Sequence, residues 1–287
     1  MVLLIFVSLL WAFSFGLIKT NLQGIDANLV AWMRLVFALP IFLFMLRRDQ
    51  WTWPLAVRLM LIGAIQYGVM YTAYIASYQF LQAYEVALLT IFTPLYIIIL
   101  NDVWARRFRP HLLVPAGLAV IGAGIIQYQT LATDQWLIGQ TLMQVSNICF
   151  AFGQVAYRQL RSKQPLLQDH RVYAWMLLGA LLVTTVTTSL SHGWKSLVEL
   201  QGKQLVTLTY LGVFATGIGF FAWNKGATQV RSQVLAVINN LKIPLGVGVS
   251  LLVFSESTDI FRLLIGGGIL LIALFIAERW QPTSVKS

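Results

Sequence analysis

The chain has 287 residues and a formal net charge of +10; 58% of its residues are hydrophobic and only 10% are charged. That balance, with a mean hydropathy of +0.75, excludes a water-soluble domain of this size. It also excludes nucleic-acid binding as the meaning of the positive charge, because the basic residues are scattered over short loops and form no continuous stripe matching a phosphate backbone.

A helix needs about 20 mainly apolar residues to cross the hydrocarbon core. Ten such runs follow one another, at about 2–18, 29–46, 57–80, 84–101, 112–128, 136–157, 172–191, 204–225, 232–254 and 262–279. The first has no basic residue before it and no small-residue cleavage pattern after it, so it reads as a retained membrane helix, with Trp11, Ser14 and Phe15 as cavity candidates. The second carries Arg34 roughly five residues in. In the third, Tyr67, Tyr71, Tyr74 and Tyr78 repeat at spacings of four, three and four, which makes one aromatic stripe. The fourth opens near Glu85, contains Pro94 and closes near Asp102. In the sixth, Gln140, Gln144, Asn147 and Gln154 share a face that should avoid lipid. The eighth ends at Trp223 and Asn224, and the ninth holds Asn239, Asn240, Lys242 and Pro244. Trp51, Trp53 and Trp136 read as interfacial anchors.

Cytoplasmic loops retain arginine and lysine and translocated loops lose them. With the first helix starting inside, the cytoplasmic loops hold Arg47, Arg48, Arg58, Arg106, Arg107, Arg109, Arg158, Arg161, Lys163, Arg171, Lys225, Arg231, Arg279 and Lys286. The outer loops hold only Lys19, Lys195, Lys203 and Arg262. Both termini are therefore expected in the cytoplasm. The single cysteine, Cys149, allows no disulfide framework, and His111, His170 and His192 show no metal-ligand spacing, so no metal or cofactor is expected.

A sequence echo sets Ala73–Leu95 beside Trp223–Leu245, with Pro94 over Pro244. Ala31-Trp32-Met33 matches Ala174-Trp175-Met176, Phe15-Gly16 matches Phe152-Gly153, and Ile121-Gly122 matches Ile265-Gly266, all in the same order along the chain. These pairs divide the chain into five-helix halves at 1–130 and 131–287. Five is odd, so the second half enters the membrane from the opposite side. The expected fold is an all-α polytopic membrane protein of ten helices in two inverted repeats. Such repeats build a site near the midplane and expose it to each side in turn.

The segments Ser146-Asn147-Ile148-Cys149-Phe150-Ala151-Phe152-Gly153, Gly217-Ile218-Gly219-Phe220-Phe221-Ala222-Trp223-Asn224, Gly226-Ala227-Thr228-Gln229-Val230 and Asn239-Asn240, in a chain of this length and helix count, resemble the EamA-type members of the drug/metabolite transporter superfamily. Within it they are similar to biotin transporters of the carboxylate, amino acid and amine group. The resemblance implies uptake of biotin across a bacterial inner membrane by a secondary carrier, monomeric or homodimeric. The chain departs from that pattern at Lys242, where a histidine is expected after the asparagine pair.

Polar residues that the membrane makes expensive are the binding candidates. A central arginine costs about 2.5–3.5 kcal/mol on insertion scales and needs a partner or a wet cavity. Arg34 serves either to grip a substrate carboxylate with two parallel hydrogen bonds or to pair with Glu85, itself a candidate for coupling. Lys242 either binds a carboxylate or is satisfied by carbonyls freed at Pro244. Asn239, Asn240 and Asn147 offer amides that match a ureido ring, yet interhelical contacts are equally ordinary for them. Tyr67, Tyr71, Tyr74, Trp223, Asn224 and Trp11 offer stacking faces and hydrogen bonds, or simple packing. Pro94 and Pro244 are expected as paired hinges. Gly217-Ile218-Gly219-Phe220-Phe221-Ala222 fits a loose dinucleotide fingerprint but lies in an apolar helix with no strand before it, and is rejected as one. No paired carboxylates or nucleophilic arrangement occur in the helices, so the chain is not read as an enzyme. It is read as a transporter of a small organic anion, with biotin implied by the resemblance. Export of amino acids or other metabolites, and a membrane-embedded transferase, stand as alternatives.

Overall fold

The computed structural model describes residues 2–104, 106, 113–126, 134–229, 232–256 and 259–279. Among these residues there are ten helices and no strand. They are α1 (Val2–Asn21), α2 (Ala27–Leu43), α3 (Trp53–Ser77), α4 (Ala83–Trp104), α5 (Leu113–Ile126), α6 (Asp134–Lys163), α7 (Ala174–Leu190), α8 (Gly202–Gln229), α9 (Ser232–Leu252) and α10 (Ile260–Arg279). α1, α3, α4 and α8 are each long and apolar enough to cross a membrane. α2 and α7, at 17 residues each, stand at the lower limit of about 17 for a crossing helix.

The helix boundaries follow from local chemistry. Asp26 opens α2 by accepting the Leu29 amide at 2.9 Å. Pro54 in the first turn starts α3 four residues before the apolar run suggests, since its fixed φ suits a helix N-terminus. Gln82 and Glu85 form a capping box that starts α4 after the short turn 78–82 that follows α3. A second carboxylate, Glu256 from the loop after α9, accepts the Ala83 and Tyr84 amides at 2.9 and 3.0 Å, complementing the positive end of α4. α6 extends past the apolar run to Lys163. Its last turn is held by Arg161, whose Nε lies 2.7 Å from Asp169, and by Tyr157, which donates to the same carboxylate.

Two departures from regular helix are paired in position. α3 is π-helical over Ala64–Val69 and α8 over Leu211–Ile218. The prolines, expected as paired hinges, differ from one another. α4 is interrupted between Leu89 and Phe92, one turn before Pro94, where the ring removes the amide that the Thr90 carbonyl would accept. α9 runs unbroken through Pro244.

Helix packing is reciprocal. α1 lies on α9 and α6 on α4; α2 lies on α8 and α7 on α3; α5 lies on α10. The α3–α7 crossing is close because a Cβ on Gly63 would strike the Met176 carbonyl and one on Gly179 the Met60 carbonyl. Ridge-forming side chains there would push the helices apart. At one end of the bundle the Arg47 amide donates to the Arg171 carbonyl. At the other, Lys19 donates to the Tyr78 and Leu81 carbonyls at 2.8 and 2.9 Å.

Gly179→Val should therefore lower thermal stability by about 1–3 kcal/mol or abolish the monodisperse species in detergent. Gly248→Ala, at a position facing open space, should change it by less than about 0.5 kcal/mol in the same thermal unfolding assay.

Candidate functional site

Side chains from α1, α2, α3, α4, α6, α8 and α9 enclose a cavity of about 70 Å³. That is room for a few waters and well below the roughly 300 Å³ of an ordinary small-molecule site, so the bundle is contracted around it. Of the residues expected from the sequence, Trp11, Arg34, Tyr71, Tyr74, Asn147 and Lys242 line it, as do Ser14 and Phe15. Among the described residues no Asp or Glu lines it.

Arg34 is 2% exposed and sits midway along α2. Its Nε donates to Thr216 Oγ1 at 3.1 Å and its Nη2 to the Tyr71 hydroxyl at 3.0 Å, while the guanidinium carbon lies 4.4 Å from the centre of the Tyr71 ring. The two hydroxyls are themselves 2.7 Å apart. Nη1 is buried and has no hydrogen-bond partner among the described residues. The alternative of an ion pair with Glu85 is not what the helices arrange: the Glu85 carboxylate turns back to accept the Gln82 amide at 2.8 Å.

Lys242 is 4% exposed, and its Nζ faces three rings, 5.5 Å from the centres of Trp11 and Phe150 and 5.9 Å from that of Trp223. An ammonium at such distances is held by the negative faces of the rings. Trp11 is fixed in turn by donating Nε1 to the Ala215 carbonyl at 2.9 Å, inside the π-helical part of α8. Phe220, which the sequence shows only as part of an apolar stretch, fills the centre. It lies 4.8 Å from Trp11, 5.0 Å from Tyr67 and 5.6 Å from Phe150, ring centre to ring centre.

Asn147 reaches the cavity from α6, as its helical spacing predicts. It donates Nδ2 to the Leu89 carbonyl at 2.9 Å, where α4 is interrupted, and accepts from Thr93 at 3.1 Å. The same face of α6 sends Gln144 to Tyr96 at 2.9 Å and buries Gln154. Tyr67 and Asn224 stand behind the cavity, outside its lining. Asn224 Nδ2 donates to the Tyr67 hydroxyl at 2.7 Å, Tyr173 donates to the same hydroxyl at 2.8 Å, and Gln66 Nε2 donates to Asn224 Oδ1 at 3.1 Å. This network joins α3, α7 and α8. Trp223 also stands behind, packed on Trp11. The side chains of Asn239 and Asn240 lie outside the described residues. The lining residues that sequence reasoning missed include Thr90, Thr93, Met70 and Met143. Small polar and thioether side chains are common in any membrane helix, so only their convergence in space marks them.

A family model described as the EamA-like transporter family matches residues 1–128 and again residues 137–284. The chain belongs to the EamA-like transporter family. As an EamA-like transporter it resembles curated relatives over nearly its whole length. The Biotin transporter of Salmonella typhimurium (strain LT2) is 39% identical over 290 residues, covering 100% of this chain and 96% of that one. The Biotin transporter of Escherichia coli (strain K12) is 38% identical, covering 98% and 93%, and the Probable biotin transporter of Pseudomonas aeruginosa (strain PAO1) is 36% identical, covering 95% and 96%. A protein of known crystal structure, 16% identical, superposes on this EamA-like transporter with a TM-score of 0.69 over 96% of this chain and 95% of that one, and shows the same fold. The chain is thus a polytopic membrane transporter.

The network behind the cavity gives a test of packing apart from transport. Asn224→Leu strands the Gln66 amide and removes one of the two donors to the Tyr67 hydroxyl, and should lower stability by about 1–3 kcal/mol. The Asn224→Leu, Gln66→Leu double variant should lose less than the sum of the single losses when thermal unfolding is followed in detergent.

Proposed function

We propose that this transporter carries biotin into the cell across a bacterial inner membrane, by alternating access at the cavity between α2, α3 and α9. The observation that carries the reading is the character of that cavity: two buried basic side chains, Arg34 and Lys242, and, among the described residues, no acid lining it. Such a site attracts a small organic anion and lacks the counter-charge that a cationic substrate requires. The names of the three curated relatives described above, 36–39% identical, support biotin as that anion. Its carboxylate suits the free Nη1 edge of Arg34 with Lys242 as a second cation. The apolar tetrahydrothiophene ring and alkyl chain suit Trp11, Phe150 and Phe220, and the ureido group suits Asn147 and Ser146.

We read the mechanism from the two halves, 1–130 and 131–287, as inverted repeats. Three observations support this. The principal contacts between the halves come in matching pairs, α1 on α9 answering α6 on α4, and α2 on α8 answering α7 on α3. The π-helical segments fall at corresponding places in α3 and α8, and the family model matches twice. Exchange of the two conformations would open the site to each side in turn. The loops carrying Arg47 and Arg171 meet at one end of the bundle, which supports placing that end, and both termini, in the cytoplasm.

Purified protein in liposomes should accumulate labelled biotin added outside. No uptake with correctly folded protein would overturn the reading. Arg34→Ala and Lys242→Ala should each lower uptake per folded molecule by about tenfold or more, the effect of losing one charge-assisted contact.

A further inference from the structure

We infer that Thr216, which does not border the cavity, is the positioning residue for Arg34, its hydroxyl turning the guanidinium so that Nη1 is the edge left for the substrate carboxylate. The inference rests on the carboxylate reading of Arg34 proposed above. A guanidinium has five N–H donors in a fixed plane, and whichever are satisfied by the protein decide which face the ligand. Here the side edge is occupied: Nε donates to Thr216 Oγ1 at 3.1 Å and Nη2 to the Tyr71 hydroxyl at 3.0 Å. Those two oxygens are 2.7 Å apart, so one hydroxyl proton also passes between them and locks both acceptors. The end of the group that carries Nη1 is left over. Nη1 is buried without a partner among the described residues, and Arg34 lines the cavity.

Thr216 is suited to this by its place in the chain. It is fully buried, so its oxygen has no solvent to turn to. It belongs to the π-helical segment Leu211–Ile218, whose wider turn shifts the following side chains relative to a regular helix. The same segment brings α8 close to α2, since a Cβ on Gly212 would press on Phe37 and on the Arg34 backbone. Tyr71 adds the ring on which the guanidinium lies, but Tyr71 borders the cavity and would itself meet the substrate. Thr216 acts only through Arg34.

The test compares wild type, Thr216→Val, Thr216→Ser, Arg34→Lys and Arg34→Gln in liposomes, measuring KM and Vmax for labelled biotin and competition by unlabelled biotin against its uncharged carboxamide. Thr216→Val keeps shape and removes the acceptor. It should raise KM about tenfold with Vmax within about twofold, and should reduce the preference for acid over amide towards that of Arg34→Lys. Thr216→Ser should restore both. If Thr216→Val does not fold, Thr216→Ala makes the same deletion with less bulk. Wild-type KM and preference in the hydroxyl-deletion variant, with both lost in Arg34→Lys, would overturn the positioning role and leave the carboxylate reading standing. Reduced Vmax at unchanged KM would overturn it also, as the mark of a structural role. An unchanged acid preference in Arg34→Gln, which removes the charge that Arg34→Lys keeps, would overturn the carboxylate reading and the positioning role together.

Discussion

Midway along α2, the Arg34 guanidinium is removed from water and given two hydroxyls and an aromatic face in place of an acid. Burying an unpaired charge is the most expensive thing a membrane helix can do, and the expense is met here by neutral acceptors from two other helices, Tyr71 on α3 and Thr216 on α8. A carboxylate at that place would have neutralised the charge and closed the site to anions. Hydroxyls hold the group without cancelling it. Three helices must meet at one point for this to work, and α2 is positioned by the need.

The meeting is possible because the backbones approach closely. Gly63 and Gly179 let α3 cross α7, and Gly212 lets α8 cross α2. Lipid supplies no hydrophobic push between helices, so tight van der Waals contact and interhelical hydrogen bonds have to hold them. The π-helical segments add to this. The one in α3 presents Gln66 and Tyr67 to Asn224 of α8, and the one in α8 presents Thr216 to Arg34 of α2 and Tyr71 of α3. Each irregular turn therefore contributes polar contacts to helices outside its own.

The two proline-bearing helices differ from one another. α4 is interrupted before Pro94 and gives its Leu89 carbonyl to Asn147, while α9 continues through Pro244 and brings Lys242 up to the rings of Trp11, Phe150 and Trp223. An ammonium against aromatic faces and a guanidinium against hydroxyls are two ways of keeping a cation in a dry place while leaving its charge available. The cavity between them measures about 70 Å³, less than the volume of an ordinary small-molecule site.

Hydropathy alone determined that the chain is a polytopic membrane protein and that it forms ten helices, because the cost of exposing backbone in hydrocarbon leaves helices of about 20 residues as the solution. Periodicity determined which face of α6 turns inward, bringing Asn147 to the cavity, and which residues of α3 form one stripe. It did not separate Tyr71 and Tyr74, which line the cavity, from Tyr67, which is held behind it by Asn224 and Tyr173. Nor did it pair Arg34 with Thr216 across 182 positions, or show that Glu85 caps its own helix. A regular helix sets spacing along one axis only. The π turns that redirect side chains, and the crossings that bring distant helices within hydrogen-bond reach, exist only once the bundle has packed.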